Sequence, residues 1–384
     1  MALVSAAAPQ GCGIPYKESM PVGAIQNEPA IRAAAARAAK AGNVWLPTGP
    51  ARWSGLEVDR PLLILFYHVE KTGGSAAMKY LHKMVNNDGE VHARLTSLMD
   101  FTQTTCFFAL YEDLFPGYRG AWDPRRCTAP TRPSWLTSAV AVEFHAYTRR
   151  RYWSELVPKL AELRAHYAAH NGTVISLATF REPVSHVMSV YRMWPPSRKS
   201  RASASAALSK HAVPLPEWLP RAVGLQAGSL TLDSWPHMRK GFHNLRGCDT
   251  LPQGRERLQH FDIVGVMDCM DSVLSALCAR AGWPCAADRP RLELALKQSL
   301  RQKPHGVTSG GVVMREASKW ASLDVLNATV KALVANAAAC DRDMYDDAIR
   351  RLGLVPPAKA GEALDRSLCE RAVYLQQPKP LTPR

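Results

Sequence analysis

The chain has 384 residues, 47% of them hydrophobic and 21% charged, which is the composition of an ordinary globular protein. It contains no run of about eighteen apolar residues and no convincing signal peptide at its N-terminus, so neither a membrane-spanning helix nor a cleaved leader is expected. The excess of 48 lysines and arginines over 33 acidic residues, a net charge of +15, favours an anionic partner such as nucleic acid, an acidic glycan, a phosphorylated cofactor or a membrane surface.

The predicted elements begin after an Ala-, Pro- and Gly-rich stretch, residues 1–60, which indicates a loosely attached N-terminal segment. From Leu62 onward, short apolar segments alternate with longer helical patterns, and this alternation favours an α/β fold with a parallel sheet covered on both faces. The predicted strands are Leu62–Tyr67, Phe107–Tyr111, Ala139–Phe144, Val174–Phe180 and Ile263–Val266. The predicted helices are Ser75–Asn86, Arg151–His170, Pro183–Trp194, Met267–Ala281 and Leu323–Leu352.

Three segments stand outside this pattern. Residues 116–133 are rich in Gly, Pro and Arg and predict a surface loop. Residues 195–230 begin with a run of Pro, Ser and basic residues and predict a mobile basic insertion rather than core. The expected domain therefore spans residues 61–355 with this insertion inside it, and residues 356–384 form a C-terminal tail.

The nine cysteines include no CxxC pair, so a zinc ribbon is not expected. Cys106 with Cys127, and Cys278 with Cys285, are spaced to close short loops in an oxidising compartment, and they are equally compatible with buried thiols. Two tripeptides that begin at Asn171 and Asn327 fit the glycosylation sequon. The cysteines and sequons leave the compartment open.

The stretch HVEKTGGS, His68–Ser75, lies where the first predicted strand gives way to a helix. Such a turn directs backbone N–H groups and the positive end of the helix dipole at one point, and Gly73 and Gly74 let an oxyanion approach the backbone closely. Lys71 adds a positive charge and Ser75 a hydroxyl donor, so the stretch predicts a phosphate or sulfate site. The glycine–lysine–serine order of the GxxxxGK[ST] loop, which also positions a metal, is absent, so hydrolysis of ATP or GTP is a poor fit.

A second stretch, REPVSHVMS, also joins a strand to a helix. Arg181 stands at the junction, Pro183 favours helix initiation, and Ser189 follows about two helical turns later. An arginine and a hydroxyl in this arrangement are able to hold a second phosphate. The two stretches together predict a doubly phosphorylated ligand, with one end at each strand–loop–helix unit.

These two motifs resemble those of the Golgi carbohydrate O-sulfotransferases, in particular the heparan sulfate 2-O- and 6-O-sulfotransferase group. HVEKTGGS fits the family pattern H-[IV]-x-K-T-G-[GS]-[ST], and REPVSHVMS fits R-[DE]-P-V-S-x-x-x-S. Phe261–Pro284 and Asn336–Leu352 are similar to two further family segments, so the likeness extends over about residues 62–352. It implies a P-loop NTPase-like sulfotransferase fold and binding of 3′-phosphoadenosine 5′-phosphosulfate (PAPS).

The resemblance also implies roles for the residues of the two motifs. Lys71 would contact the bridging and sulfonate oxygens, and the backbone of Thr72, Gly73, Gly74 and Ser75 would hold the 5′-phosphate. Arg181 and Ser189 would hold the 3′-phosphate. Glu70 departs from the Pro or Gln usual at its position, and a carboxylate beside a phosphosulfate is unfavourable unless it points away or binds the acceptor.

Sulfuryl transfer to an alcohol needs a base near the acceptor hydroxyl. FHAYTRRRYWSEL, Phe144–Leu156, resembles the family segment that carries the catalytic histidine, which implies that His145 is the general base. His68 is the rival, although its role in the family pattern looks structural. Arg149, Arg150 and Arg151 would bind an acidic acceptor.

The function predicted from these sequence features is PAPS-dependent transfer of a sulfuryl group to a hydroxyl, with an anionic or neutral glycan as acceptor, no metal and no nucleic acid partner. Two alternatives stay open: a P-loop phosphotransferase, and a non-catalytic polyanion-binding protein of the same fold. The resemblance implies the Golgi lumen or secretory pathway, whereas the N-terminus shows no route there and leaves a cytoplasmic location open.

Overall fold

The computed structural model of the protein describes residues 61–85, 95, 97–121, 123, 127, 139–145, 148–193, 213–231, 248, 251–283, 326–359, 361–362 and 364–371. All of them belong to one compact unit, Gly49–Arg384. The predicted N-terminal segment, residues 1–60, lies outside the described residues, and so does most of the loop predicted over residues 116–133.

Five parallel strands form one sheet in the spatial order β2-β3-β1-β4-β5. The central strand β1 pairs with β3 on one side and β4 on the other, and its last residue, His68, stands opposite His145 of β3. The strands are β1 (Leu62–His68), β2 (Ser97–Met99), β3 (Ala139–His145), β4 (Thr173–Phe180) and β5 (Ile263–Val266). The α/β class with a parallel sheet is therefore as predicted.

The apolar sequence of the central strands is explained by burial on both faces. Every residue of β1, LLILFYH, is buried, and β4 is buried from Val174 to Phe180. Strands that are covered by helices on both sides have no solvent face, so they read as continuous apolar runs rather than as alternating patterns.

The helices connect the strands and cover both faces of the sheet. Among the described residues, no helix is long and apolar enough to cross a membrane. Helical turns at Arg149–Arg151, Tyr152–Leu156 and Val157–Lys159 lead directly into α3, and a short turn at Met267–Cys269 leads into α8. The helices are α1 (Gly74–Val85), α2 (Thr104–Leu110), α3 (Leu160–Ala169), α4 (Pro183–Met193), α5 (Leu215–Trp218), α6 (Leu225–Thr231), α7 (Leu251–Leu258), α8 (Met270–Ala281) and α9 (Ala328–Arg351).

The predicted strand Phe107–Tyr111 is wrong. These residues belong to α2 and to the turn that follows it, and the strand of this region is instead the three-residue β2. Nearly all of α2 is buried, with Phe107 and Phe108 packed against Phe144 of β3. A short helix that is apolar all round has no periodicity to distinguish it from a buried strand.

The second half of the predicted basic insertion is part of the core. Residues 213–231 form α5, α6 and the turn between them, and Leu215, Trp218 and Leu219 are buried against α4 and α9. Trp218 is thus a core residue. Residues 194–212, which carry most of the basic side chains of this segment, lie outside the described residues.

Among the described residues, three disulfides join cysteines that are 21, 92 and 100 residues apart in the sequence. Cys106 pairs with Cys127, as one of the two predicted short loops requires, and the others join Cys248 to Cys340 and Cys269 to Cys369. The last of these ties the C-terminal tail to the start of α8. Of the other predicted pair, Cys278 is buried beside the Tyr80 hydroxyl, and Cys285 lies outside the described residues.

Candidate functional site

The two predicted phosphate-binding loops lie side by side at the carboxyl edge of the sheet. The connection after β1 runs through α1 toward β2, and the connection after β4 runs through α4 toward β5 on the opposite side. Adjacent strands whose connections diverge in this way leave a crevice between their loops, and open parallel sheets bind ligands there. Lys71 and Arg181 follow these two strands, so the topology places both at this crevice.

The loop after β1 has the backbone of an anion cradle. Lys71 and Gly73 both adopt positive φ angles, 64° and 92°, which turn successive peptide groups in the direction of the helix start. The Gly73 carbonyl accepts hydrogen bonds from Ala76 and Ala77, whereas the N–H groups of Gly74 and Ser75 have no acceptor among the described residues. Such donors at a helix N-terminus are suited to an oxyanion.

The hydroxyl groups of this loop are oriented differently from one another. Thr72 is fully buried, and its hydroxyl donates to the Val69 carbonyl at 2.7 Å and lies 3.1 Å from the Thr179 hydroxyl. It therefore fastens the loop to β4, and its hydroxyl is not available to a ligand. Ser75 is exposed at the start of α1, where its hydroxyl is accessible.

Gly74 is required by close packing against His68. A Cβ atom added at Gly74 would lie 1.9 Å from His68 Nε2, far inside any van der Waals contact. The first turn of α1 thus rests directly on the imidazole, and His68 supports the cradle from below. This placement agrees with a structural role for His68.

Replacement of Gly74 by alanine is expected to lower the free energy of unfolding by about 1–3 kcal/mol, because overpacking outweighs the better helix propensity of alanine. Denaturant unfolding measures the change. Gly117→Ala is the matched control, since no atom lies within 4 Å of a Cβ built there. We expect the control to change stability by less than about 0.5 kcal/mol, and a Gly74→Ala variant of wild-type stability would contradict the described packing.

Lys71 and Arg181 place two cations together in the crevice. Arg181 Nη1 donates to the Lys71 carbonyl at 3.4 Å. Partial burial, together with the charge of Arg181, lowers the pKa of the Lys71 ammonium. An anion placed between two neighbouring cations reduces the repulsion between them. The electrostatics of the crevice therefore favour an anionic ligand.

The backbone of Arg181 is held by a side chain that the sequence did not indicate. The Arg181 N–H donates to Gln226 Oε1 at 2.8 Å, and Gln226 Nε2 donates back to the Arg181 carbonyl at 2.9 Å. The neighbouring Glu182 accepts hydrogen bonds from the N–H groups of Val184 and Ser185 at 3.0 and 2.7 Å and so caps α4. A phosphate at this loop would therefore meet side chains rather than the helix N-terminus.

Ser189 lies within α4 and is half-buried. Its place two turns after Arg181 is as predicted from the sequence, and its contact with a ligand stays a prediction. Glu182 Oε1, which caps α4, also accepts a hydrogen bond from the Gly361 N–H at 3.0 Å. The predicted C-terminal tail therefore packs beside this helix.

Glu70 points into the protein, away from a ligand in the cradle. Its side chain is buried, and Oε2 accepts a hydrogen bond from Arg149 Nη1 at 2.8 Å. The Glu70 carbonyl accepts a hydrogen bond from His186 Nε2 at 2.7 Å. The neighbouring Arg149 guanidinium offsets the charge of the buried Glu70 carboxylate.

His145 lies between two carboxylates at the end of β3. His145 Nε2 is 3.3 Å from Glu70 Oε1, and the ring stacks on His68 with centroids 4.3 Å apart. On the other side, His68 Nδ1 donates to Glu143 Oε1 at 2.5 Å. Glu70, His145, His68 and Glu143 thus form a row of neighbouring side chains. The parallel register explains why the two imidazoles meet, because His68 and His145 stand opposite each other on the same face of the sheet.

Burial, with His68 and Arg149 nearby, lowers the pKa of His145 to about 3. Burial opposes ionisation of Glu143, but the hydrogen bond and charge of His68 outweigh it and lower the pKa of that carboxyl. His145 is therefore neutral at physiological pH. Its Nδ1 is buried with no hydrogen-bond partner among the described residues, and its Nε2 lies beside the Glu70 carboxylate.

His68, Glu143 and His145 each bring one potential metal-ligating atom within 4.8 Å of the others. The two imidazoles are stacked with an interplanar angle of 17°, whereas a metal ion bound by both would have to lie in both ring planes. The observed rotamers favour a direct His–Glu hydrogen bond over shared coordination of an ion.

The three predicted acceptor-binding arginines occupy different environments. Arg149 is buried against Glu70, Arg150 is exposed, and Arg151 donates to the Thr105 hydroxyl at 3.0 Å and lies over the Tyr118 ring. Acceptor binding by this group stays a prediction, and its exposed member is Arg150.

Sequence reasoning missed Glu143, His186 and Gln226. Glu143 had a detectable signal, because a single carboxylate inside the apolar strand AVAVEFH is a buried charge that requires a partner. His186 and Gln226 gave none, since a histidine or glutamine in a helix is ordinary and their partners are distant in the sequence.

The fold and the site together define an α/β protein with a crevice between the loops that follow the parallel strands β1 and β4, and these loops carry Lys71 and Arg181. Comparisons with protein-family models, with curated proteins and with solved structures found no match to this chain.

Proposed function

We propose that the protein is a sulfotransferase of the P-loop-like fold, which transfers a sulfuryl group from PAPS to a hydroxyl of a carbohydrate. The observation that carries this proposal is the meeting of the two motif loops, with Arg181 against the Lys71 carbonyl at the divergence of β1 and β4. A ligand with phosphate groups at two positions suits a crevice with one cation from each loop.

The cofactor-binding roles follow from the positions of these groups. The N–H groups of Gly74 and Ser75, at the positive end of α1, hold the 5′-phosphate. Lys71 faces the bridging oxygen, where negative charge develops as the sulfuryl group leaves. Arg181 holds the 3′-phosphate, with Ser189 as the hydroxyl donor. The resemblance of both motifs to the sulfotransferase patterns supports these assignments.

Proton removal from the acceptor falls to the pair formed by His145 and Glu70. The neutral imidazole accepts the hydroxyl proton as the oxygen attacks sulfur, and the bond between sulfur and the bridging oxygen breaks. The Glu70 carboxylate, 3.3 Å from Nε2, stabilises the imidazolium that results. Arg150, the second residue of the helical turn Arg149–Arg151, supplies an exposed positive charge for an acidic acceptor.

The disulfides support a location in the secretory pathway. Three cystine bridges link segments of the described domain, and such bridges persist in oxidising compartments. The sequon residue Asn171 is exposed, whereas Asn327 uses its side chain to cap α9 by accepting from the Val330 N–H at 2.9 Å. Asn171 is therefore the better candidate for glycosylation.

Thermal denaturation with nucleotides tests the cofactor assignment. We expect PAPS and adenosine 3′,5′-bisphosphate to raise the melting temperature strongly and ATP with magnesium to raise it weakly. Arg181→Ala should lower the affinity for adenosine 3′,5′-bisphosphate by about 2–3 kcal/mol, the scale of a charge-assisted hydrogen bond. The surface variant Arg350→Ala, which loses only an exposed ion pair with Asp347, is the control and should bind normally.

The same measurement separates the alternatives. Equal stabilisation by ATP and by the 3′-phosphorylated nucleotide would exclude the 3′-phosphate site and favour a phosphotransferase. Binding of PAPS without transfer of labelled sulfate to any of a panel of glycans, phenols and lipids would favour a non-catalytic polyanion-binding protein. Transfer to one acceptor class would establish the reaction and name its substrate.

A further inference from the structure

We propose that Gln226 is a positioning residue for Arg181, and that it sets the selectivity of the crevice for a 3′-phosphate. This inference rests on the proposed function. Gln226 lies on α6, 45 residues after Arg181, and no motif in the sequence connects the two. Their connection is made entirely by the tertiary structure.

The contact between the two residues is a two-point clamp. The Gln226 carboxamide accepts from the Arg181 N–H at 2.8 Å and donates to the Arg181 carbonyl at 2.9 Å, and its side chain is 1% exposed. A primary amide offers one acceptor and one donor side by side, which matches the two polar groups of a backbone residue. The clamp therefore takes the place of sheet pairing immediately after β4 ends at Phe180.

Gln226 is itself held from the other side. Its N–H donates to both carboxylate oxygens of Asp341 on α9, at 3.0 and 2.9 Å, and the Ala227 N–H donates to Asp341 Oδ1 at 2.8 Å. Asp341 is completely buried. Gln226 thus joins three parts of the fold: its carboxamide holds Arg181 at the end of β4, and its backbone on α6 is held by Asp341 of α9.

The clamp fixes the point from which the Arg181 side chain extends. Arginine has a long, flexible side chain, so a shift at its Cα atom is transmitted to the guanidinium. Loss of the clamp would misplace the charge relative to the 3′-phosphate while leaving the Gly74 and Ser75 donors of the 5′-phosphate in place. The selectivity between nucleotides with and without a 3′-phosphate is therefore the property that Gln226 should control.

The test compares two nucleotides on the full chain by calorimetry. The affinity ratio of adenosine 3′,5′-bisphosphate to adenosine 5′-monophosphate is measured for the wild type and for Gln226→Met, which keeps the volume and loses both hydrogen bonds. We expect this ratio to fall about tenfold, since displacement of a binding group by about 1 Å has effects of this size or larger. Ser229→Ala is the matched control on α6, because its hydroxyl bonds only to the Leu225 carbonyl of the same helix.

The outcomes distinguish the two proposals. A wild type that shows no preference for the bisphosphate overturns the proposed function. A wild-type preference that is unchanged in Gln226→Met, or a loss of affinity for both nucleotides by the same factor, overturns the positioning role and leaves the proposed function standing. If Gln226→Met does not fold, Gln226→Glu replaces it, because it keeps the acceptor for the Arg181 N–H and removes the donor, and a several-fold lower ratio is again expected.

Discussion

Replacement of His145 by alanine is expected to lower the maximal rate of sulfuryl transfer by about 10²–10⁴-fold, the usual contribution of a positioned general base. Affinity for the cofactor should be unchanged, because the proposed phosphate contacts are made by Lys71, Arg181 and the backbone of the β1 loop and not by the His145 side chain. Single-turnover transfer of labelled sulfate from PAPS measures the rate, and calorimetry with adenosine 3′,5′-bisphosphate measures the binding.

The pH dependence of the rate adds a second test of the same assignment. Burial and the neighbouring His68 lower the pKa of His145 to about 3, so its base form is fully populated above pH 5. The rate should therefore show no rise between pH 5 and 8 from this group, in contrast to the rise that an ordinary imidazole would give. An inflection near pH 6.5 that disappears in the His145→Ala variant would contradict the described environment.

Stability should respond to pH in the opposite sense to an ion-paired histidine. In the folded protein the pKa values of His145 and His186 are about 3 and about 4, below the value of a histidine in the unfolded chain. At a pH between the folded and unfolded pKa values, the unfolded state therefore binds more protons than the folded state. These two groups should thus lower the free energy of unfolding as the pH falls below about 6.5.

His68→Ala is the matched control for the catalytic test. His68 Nδ1 is bonded to Glu143 and its Nε2 lies beneath Gly74, so neither nitrogen is placed for proton transfer to an acceptor. The variant should lose stability and keep the rate of the folded fraction within about tenfold. If His68→Ala abolishes transfer with the fold intact while His145→Ala remains active, the base is His68; if both remain active, Glu70 becomes the candidate.

Breaking the buried ion pair between Glu70 and Arg149 should cost the fold about 3–5 kcal/mol. The side chains are 5% and 3% exposed, and the distance from Arg149 Nη1 to Glu70 Oε2 is 2.8 Å. Arg149→Met leaves the Glu70 carboxylate buried without its cation, which accounts for most of the expected loss. Denaturant unfolding gives the free-energy change.

A double variant shows whether the loss belongs to the pair. Glu70→Gln combined with Arg149→Met removes both charges, and the stability should recover to within about 1–2 kcal/mol of wild type. Lys159→Met is the control, because its ion pair with Glu162 is 46% exposed on both sides and should contribute no more than about 1 kcal/mol. A double variant as unstable as the single one would show that Arg149 acts through packing alone.

The pair also bears on where the acceptor binds. Arg149 was predicted, as one of a run of three arginines, to hold an acidic acceptor, and its guanidinium is paired with the buried Glu70 carboxylate. A charge run in a sequence does not reveal which of its members is turned inward by the start of a helix. Of the three arginines, the exposed Arg150 remains the candidate for acceptor binding.

The sequence by itself determined the α/β class, four of the five strands and the two loops of the crevice. Leu62–His68 is apolar up to its final histidine and Thr173–Phe180 is mostly apolar, because helices cover both faces of these strands. Glycine at 73 permits the positive φ of the turn, and glycine at 74 permits the close contact with His68. These features are local, so residue type and spacing are sufficient to indicate them. The strand predicted over Phe107–Tyr111 was wrong because an all-apolar helix carries no periodic signal.

Only the tertiary structure decided how the site is assembled. The order of the strands places the β1 and β4 loops together, the register places His68 opposite His145, and α6 brings Gln226 to Arg181. Glu70 could not be interpreted from the sequence, since its meaning depends on Arg149, 79 residues away. Pairings between residues distant in the chain follow from the packing of whole elements, and no pattern of neighbouring residues contains that information.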